Sequence, residues 1–228
     1  MGSASHFSAA SISMPAYKPW PLPYYLDPQT LAVDAFISFI LAILFAVLVN
    51  AEGQALVATL LGDRRPGAKD RHHYIAFLHL DVLGTLCFLV GGFGWAKPLD
   101  IDASKFPRPF LYTVLARSAG PVANLLLANI AASIVALMRW FGATPLVFEM
   151  VMGVNVTMAV YNILPLPPLA AGEILIRLLP PQAAWLLRRL GPFALLGLAL
   201  LDRLTPGGVI SPYLNPWVHM IYRYILGS

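Results

Sequence analysis

Long uncharged runs alternate along this chain with short basic clusters. Leu31 to Asn50 carries only Asp34 among its charges and reaches the roughly 20 residues that span a hydrocarbon core. The helix is expected to continue to about Leu61, where Gly62 stops it. Two further spans are predicted at Ser118 to Met138 and Pro145 to Leu164, followed by a proline-broken turn, PLPPLAAG. Between the first span and these, Val82 to Gly92 is apolar but too short to cross, which suits a re-entrant or interfacial hairpin. Leu190 to Leu204 is short and reads as an oblique crossing. Leu214 to Leu226, with Trp217, Tyr222 and Tyr224, reads as a terminal interfacial helix. The pattern predicts an all-α integral membrane bundle of about four to five transmembrane helices, with a re-entrant segment and room for a small β-hairpin.

Composition agrees with the pattern. Of 228 residues 58% are hydrophobic and 11% charged, where soluble domains have about a quarter charged. Mean hydropathy is +0.71. The net charge of +4 is read as topology rather than nucleic-acid binding. If the N-terminus lies outside, the clusters Arg64, Arg65, Lys69, Arg71, then Lys97, Lys105, Arg108, Arg117, then Arg177, Arg188, Arg189 all face the cytoplasm. They account for eleven of the fifteen Lys and Arg, as the positive-inside rule prefers. Lone Cys87 excludes a disulfide framework and a cysteine-based metal site. Residues 31–228 are expected to form a single membrane domain.

Residues 1–30 are expected to be a separate proline- and aromatic-rich arm. Its segment KPWPLPYYLDP suits an extended strap with Trp20, Tyr24 and Tyr25 at the membrane interface or on a partner; a disordered arm is the alternative. No secretory signal is expected, and His6 breaks the myristoylation pattern after Gly2.

The chemistry concentrates in VLVNAEGQALVATLLGD, Val47 to Asp63, where Glu52 sits at membrane depth. A His-Glu-x-x-His helix would hold zinc between imidazoles one turn apart, with the glutamate as general base. Here Ala51 and Ala55 flank Glu52 at that spacing. A charged carboxylate at the centre of a spanning helix costs about 2.5–3.5 kcal/mol, so Glu52 must be protonated, paired or wet. Gln54, Asn155 or Asn162 are candidate amide donors to it. Asp34 and Glu149 could extend it into a polar track, or could lie at helix ends. His72, His73, His79 and Asp81 form a cluster with ligand-type side chains, for which titration at a water boundary or supporting hydrogen bonds is the simpler reading. Gly120, Ala123 and Ala131 share one stripe where a neighbouring helix could approach closely, and Gly153 with Ala159 another. Trp95 and Lys97 are expected to form an interfacial anchor.

Taken in order, AEGQALVATLLGD, HLDVLGT, GGFGWAKP, SAGPVANLLLA and NILPLPPLAAGEIL give the chain from about Leu31 onward a specific resemblance. It resembles the site-2 protease family of intramembrane zinc metalloproteases in its compact bacterial form. The usual form of the last motif is N-x-x-P-x-P-P-L-D-G-G, with the aspartate as third zinc ligand; here Leu169 is followed by Ala170. The resemblance implies a site-2-protease-like bundle in a bacterial cytoplasmic (inner) membrane. It places Ala51, Ala55 and Ala170 at former metal positions and Glu52 as a vestige of the catalytic base. Without three strong ligands zinc loses most of a binding energy of order 10 kcal/mol. The expectation is therefore a non-catalytic pseudoprotease with no cofactor, not an enzyme. It would bind other integral membrane proteins within a complex through its transmembrane helices and arm. Asn155, Asn162, Pro165 and Pro167 join Trp20, Tyr24 and Tyr25 as candidate partner or groove contacts. The alternatives are an intramembrane metallopeptidase with a non-standard metal site, and a proton or solute pathway.

Overall fold

In the computed structural model, residues 22–26, 32–64 and 74–227 are described. They form α1 (Val33–Leu60), α2 (Val82–Gly91), α3 (Pro109–Trp140), α4 (Leu146–Tyr161), α5 (Ala170–Leu175), α6 (Pro181–Leu204) and α7 (Ser211–Leu226), with short 3-10 turns at Ala76–His79, Ala103–Lys105 and Ile176–Leu178. The all-α expectation holds. By length and apolarity α1, α3 and α6 can cross a membrane, while α2 and α4 are shorter apolar helices. The oblique crossing expected over Leu190 to Leu204 is the second half of α6, which starts a further two turns back at Pro181.

The core is the triangle of α1, α3 and α4. A helix apolar all round is one enclosed on all sides, and α4 meets this: every residue from Glu149 to Met158 is buried. Packing of α1 on α3 depends on small side chains. A Cβ on Gly53 would lie 2.7 Å from Ala123 Cβ and 2.9 Å from the Ala119 carbonyl, and one on Gly120 would meet the Asn50 amide at 2.8–2.9 Å. The expected stripe on α3 is thus where the two backbones approach. Gly153 differs, because what crowds it most closely is Leu22 of the N-terminal segment, 2.6 Å from an added Cβ, with Tyr222 of α7 farther off at 3.8 Å.

Polar side chains stitch the same triangle. Asn50 of α1 donates to Asn124 Oδ1 at 2.7 Å, and Asn124 of α3 donates to Asn155 Oδ1 of α4 at 2.8 Å and to the Ala46 carbonyl at 2.9 Å. The run continues as Gln54 donates to Asn50 Oδ1 at 2.8 Å and Arg117 to Gln54 Oε1 at 2.9 Å. It ends on Glu173, 3.3 Å from Arg117 and from Arg188. In an apolar bundle each such amide must find a partner, and mutual pairing satisfies them without water.

Residues 79–97 leave and return to one level. α2 rises about 15 Å at 1.5 Å per residue, Gly92 reverses the chain at φ 75°, and Gly94 lies so close to α2 that a Cβ would meet the Gly84 carbonyl. Leu80 and Ala96 close the base as an isolated antiparallel bridge, and Lys97 N–H donates to the His79 carbonyl at 2.7 Å. This bridge is the extent of β structure among the described residues, in place of a hairpin of strands. Trp95, expected as an interfacial anchor, is instead buried in this hairpin and donates to Asp81 Oδ1 at 3.0 Å; Lys97 is exposed.

The loops after α1 and before α3 meet at one end of the bundle. Buried Asp63 accepts from Asp102 N–H at 3.0 Å there.

Candidate functional site

Glu52 lies one residue along α1 from Ala51, on a part of the helix that Gly53 holds against α3. Its Oε1 stands 3.5 Å from His79 Nε2, with side-chain exposures of 17% and 7% respectively. His79 ends the Ala76–His79 turn that packs on α1, and its own carbonyl anchors the return strand at Lys97. Hairpin closure therefore fixes the backbone that carries the imidazole. When His79 is protonated the pair is an ion pair, which offsets the cost of a carboxylate at this depth.

Glu52 was expected to take its donor from Gln54, Asn155 or Asn162. The structure corrects this: those amides donate to Asn50, to the Val151 carbonyl and to the Met158 carbonyl respectively. Among the described residues the imidazole of His79 stands against Glu52. Asp81 has the supporting role expected of it, accepting from Gly84 N–H at 2.8 Å as the N-cap of α2 and from Trp95. Asp34 lies at the exposed start of α1, about 27 Å of helix from Glu52. Glu149 is buried against Arg139 at 2.7 Å. Neither extends a track from Glu52.

Ala51, Ala55 and Ala170 are buried methyl groups, 1%, 0% and 6% exposed. Whether zinc fits here turns on the donor set. Among the described residues no group of three His, Cys, Asp or Glu side chains is placed to hold a metal ion. Glu52 and His79 make two, and the three alanines contribute no donor, so the described side chains do not fit a zinc ion. His72 and His73 lie outside the described residues.

The loop from Asn162 to Ala170 is pinned at both ends by one side chain and its backbone. Asn162 Oδ1 accepts from Ala170 N–H at 2.9 Å, and the Asn162 carbonyl accepts from Ala171 N–H at 3.0 Å. Pro165 is exposed on this loop and Pro167 buried beneath it. Asn155 belongs to the polar run inside the core rather than to an accessible groove. Tyr24 and Tyr25, expected at the interface or on a partner, contact this chain: Tyr24 packs edge-on against Phe39 at 4.7 Å, and Arg203 stands 3.5 Å from the centroid of Tyr25. Leu26 N–H donates to the Leu89 carbonyl at 3.0 Å. Trp20 lies outside the described residues.

Sequence reasoning missed Arg117 and Asn124 as buried polar groups. Arg117 was counted among the basic loop residues, and the signal available was its place three residues before Gly120, where the small-residue stripe of α3 begins.

No family model matches the chain, and no solved structure matches it. Over 151 residues it is 33% identical to the "Putative zinc metalloprotease YwhC" of Bacillus subtilis (strain 168), covering 62% of this chain and 69% of that protein. This comparison corrects the expectation, drawn from the three alanines, that the chain is not an enzyme: the relative's name points to a peptidase. With a third of the aligned positions identical over more than two thirds of that relative, the chain belongs to its zinc metalloprotease family.

Proposed function

We propose that this chain is a site-2-protease-like membrane protein that engages an extended or membrane-spanning segment of another integral membrane protein beside Glu52 and His79. The observation that carries the reading is the 3.5 Å contact between largely enclosed Glu52, on a helix able to cross a membrane, and His79 of the turn packed beside it. The surface next to it supports the same reading. The segment that delivers His79 exposes Tyr74, Ile75, Phe77 and Leu78, and α1 exposes Leu56 and Leu60 nearby in sequence to Glu52. An apolar segment of a partner would cover such a surface by van der Waals contact, with one polar pair to fix its register.

Peptide hydrolysis is the second reading, favoured by the name of the Bacillus relative. In it Glu52 accepts the proton of the attacking water and His79 balances its charge. No step is assigned to zinc, because the described side chains do not fit the ion.

A photo-crosslinking residue at Phe77 or Leu78, in the full chain in native-like membranes, tests both readings together with a search for cleavage of the captured protein. Capture of a defined membrane polypeptide, weakened by Glu52→Gln or His79→Ala, is the expected result. Cleavage abolished by Glu52→Gln would establish hydrolysis. Capture of nothing above background at either position, with no cleavage, would overturn the proposal.

A further inference from the structure

We propose that a second site, separate from Glu52 and independent of the reading above, binds a phosphate group carried on a larger molecule. It is a cavity of about 310 Å³ between the loop before α3, the Pro167–Pro168 turn and the first half of α6 at Arg188 and Pro192. Its charged lining is Arg117, Arg177 and Arg188 against Glu173 and Asp100, a surplus of one positive charge.

The donors there are not saturated by the protein. Glu173 Oε2 serves both Arg117 and Arg188, each at 3.3 Å, whereas a well-formed charge-assisted bond is about 2.7–2.9 Å. Arg177 reaches only the Ile101 carbonyl, at 3.4 Å. Arg117 is 5% exposed; its terminal nitrogens donate to Gln54, to the Leu99 carbonyl at 3.0 Å and to Glu173, and its buried Nε has no hydrogen-bond partner among the described residues. A buried guanidinium N–H without a partner is uncommon in a folded interior, and here it belongs to a residue that lines a cavity. Guanidinium forks match the oxygens of a phosphate two at a time. The volume exceeds what a carboxylate alone would fill and lies at the lower end of small-ligand sites.

The cavity's position narrows the source. It sits at the end of the bundle where α1 stops and α3 starts, the end that carries the basic loops. Basic pockets between membrane helices at such a level take anionic lipid headgroups. A soluble phosphate ester offers the same chemistry.

The test uses the full chain in mild detergent, titrated with phosphatidylglycerol or phosphatidylcholine and read by native mass spectrometry. Inorganic phosphate and glycerol 3-phosphate serve as competitors. Arg177 and Arg188 are both exposed side chains, and their loss takes from the polar run only the Arg188 contact at its Glu173 end, where Arg117 remains. The double variant Arg177→Gln/Arg188→Gln should weaken phosphatidylglycerol retention about tenfold or more, about the factor that one lost charge-assisted bond produces. Arg189→Gln removes the same charge next door, where the guanidinium lies 5.3 Å from the Trp185 ring and outside the cavity, and should change retention less than about twofold. Displacement by millimolar phosphate or glycerol 3-phosphate would support the site with a soluble ester as its ligand; lipid retention insensitive to them would support it with a headgroup. Equal retention by wild type and the double variant, an equal loss in Arg189→Gln, or no binding of any probe to the wild type would overturn the proposal.

Discussion

Asn124→Leu tests whether the amide run, rather than apolar packing alone, holds the three-helix core in register. The side chain is fully buried and makes three bonds: it donates to Asn155 Oδ1 and to the Ala46 carbonyl, and accepts from Asn50. Leucine keeps the branched, four-heavy-atom shape in a somewhat larger volume but removes all three. The Ala46 carbonyl loses only a second donor, since it lies within α1 and has its helical bond. Asn50 Nδ2 and Asn155 Oδ1 lose a partner on another helix. Interhelical bonds of this kind in membranes average about 0.6 kcal/mol and reach about 1.7, so two contribute about 1–3 kcal/mol. Leaving the two amides buried and underpaired raises the expected loss to about 2–4 kcal/mol. The assay is equilibrium unfolding in mixed micelles, titrated with a denaturing detergent and followed by helical circular dichroism. The double variant Asn124→Leu/Asn155→Leu should cost less than the sum of the singles by about 1 kcal/mol, because the second change removes a group the first had stranded. A single Asn124→Leu within about 0.5 kcal/mol of wild type, with no coupling to Asn155, would refute the reasoning.

Other outcomes follow from close contacts. Gly53→Ala puts a methyl 2.7 Å from Ala123 and should lower the thermal midpoint by several degrees as α1 and α3 are forced apart, whereas Gly197→Ala, with open space around it, should leave the midpoint unchanged or raise it. Differential scanning fluorimetry of the two variants checks this. Asn162→Ala removes the side-chain bond that holds Ala170 N–H, at a cost of about 1 kcal/mol. Limited proteolysis should then cut within residues 163–169 sooner than in wild type.

What could be read before the fold was seen follows from how each element is stabilised. The apolar runs of α1 and α3 are long, so hydropathy located both, though it began α3 at Ser118 because Arg117 interrupts the run that starts at Pro109; the glycine-alanine stripe of α3 announced a close helix contact without naming α1 as the partner. The start of α6 was missed because Arg188 and Arg189 interrupt the apolar run, although both remain exposed within the helix. Trp95 was misplaced because an aromatic beside a lysine commonly marks a membrane interface, and nothing local tells that its indole N–H is owed to Asp81 fourteen residues earlier. The site was legible at Glu52, whose cost demanded a partner. The partner's identity was not, because His79 reaches α1 only through the hairpin closed by Leu80 and Ala96. The amide run shows the same limit: Asn50, Asn124 and Asn155 look like isolated polar residues until three helices align them.

The enclosure of α4 bears on how the protein is made. Sixteen residues, about 24 Å of helix, with hardly a side chain turned outward have little to gain from lipid on their own. They leave the ribosome after α1 and α3 and before α7, which packs against them later. The order of synthesis thus prepares a slot before its occupant arrives, and a chain with residues 33–60 removed would lack one wall of that slot.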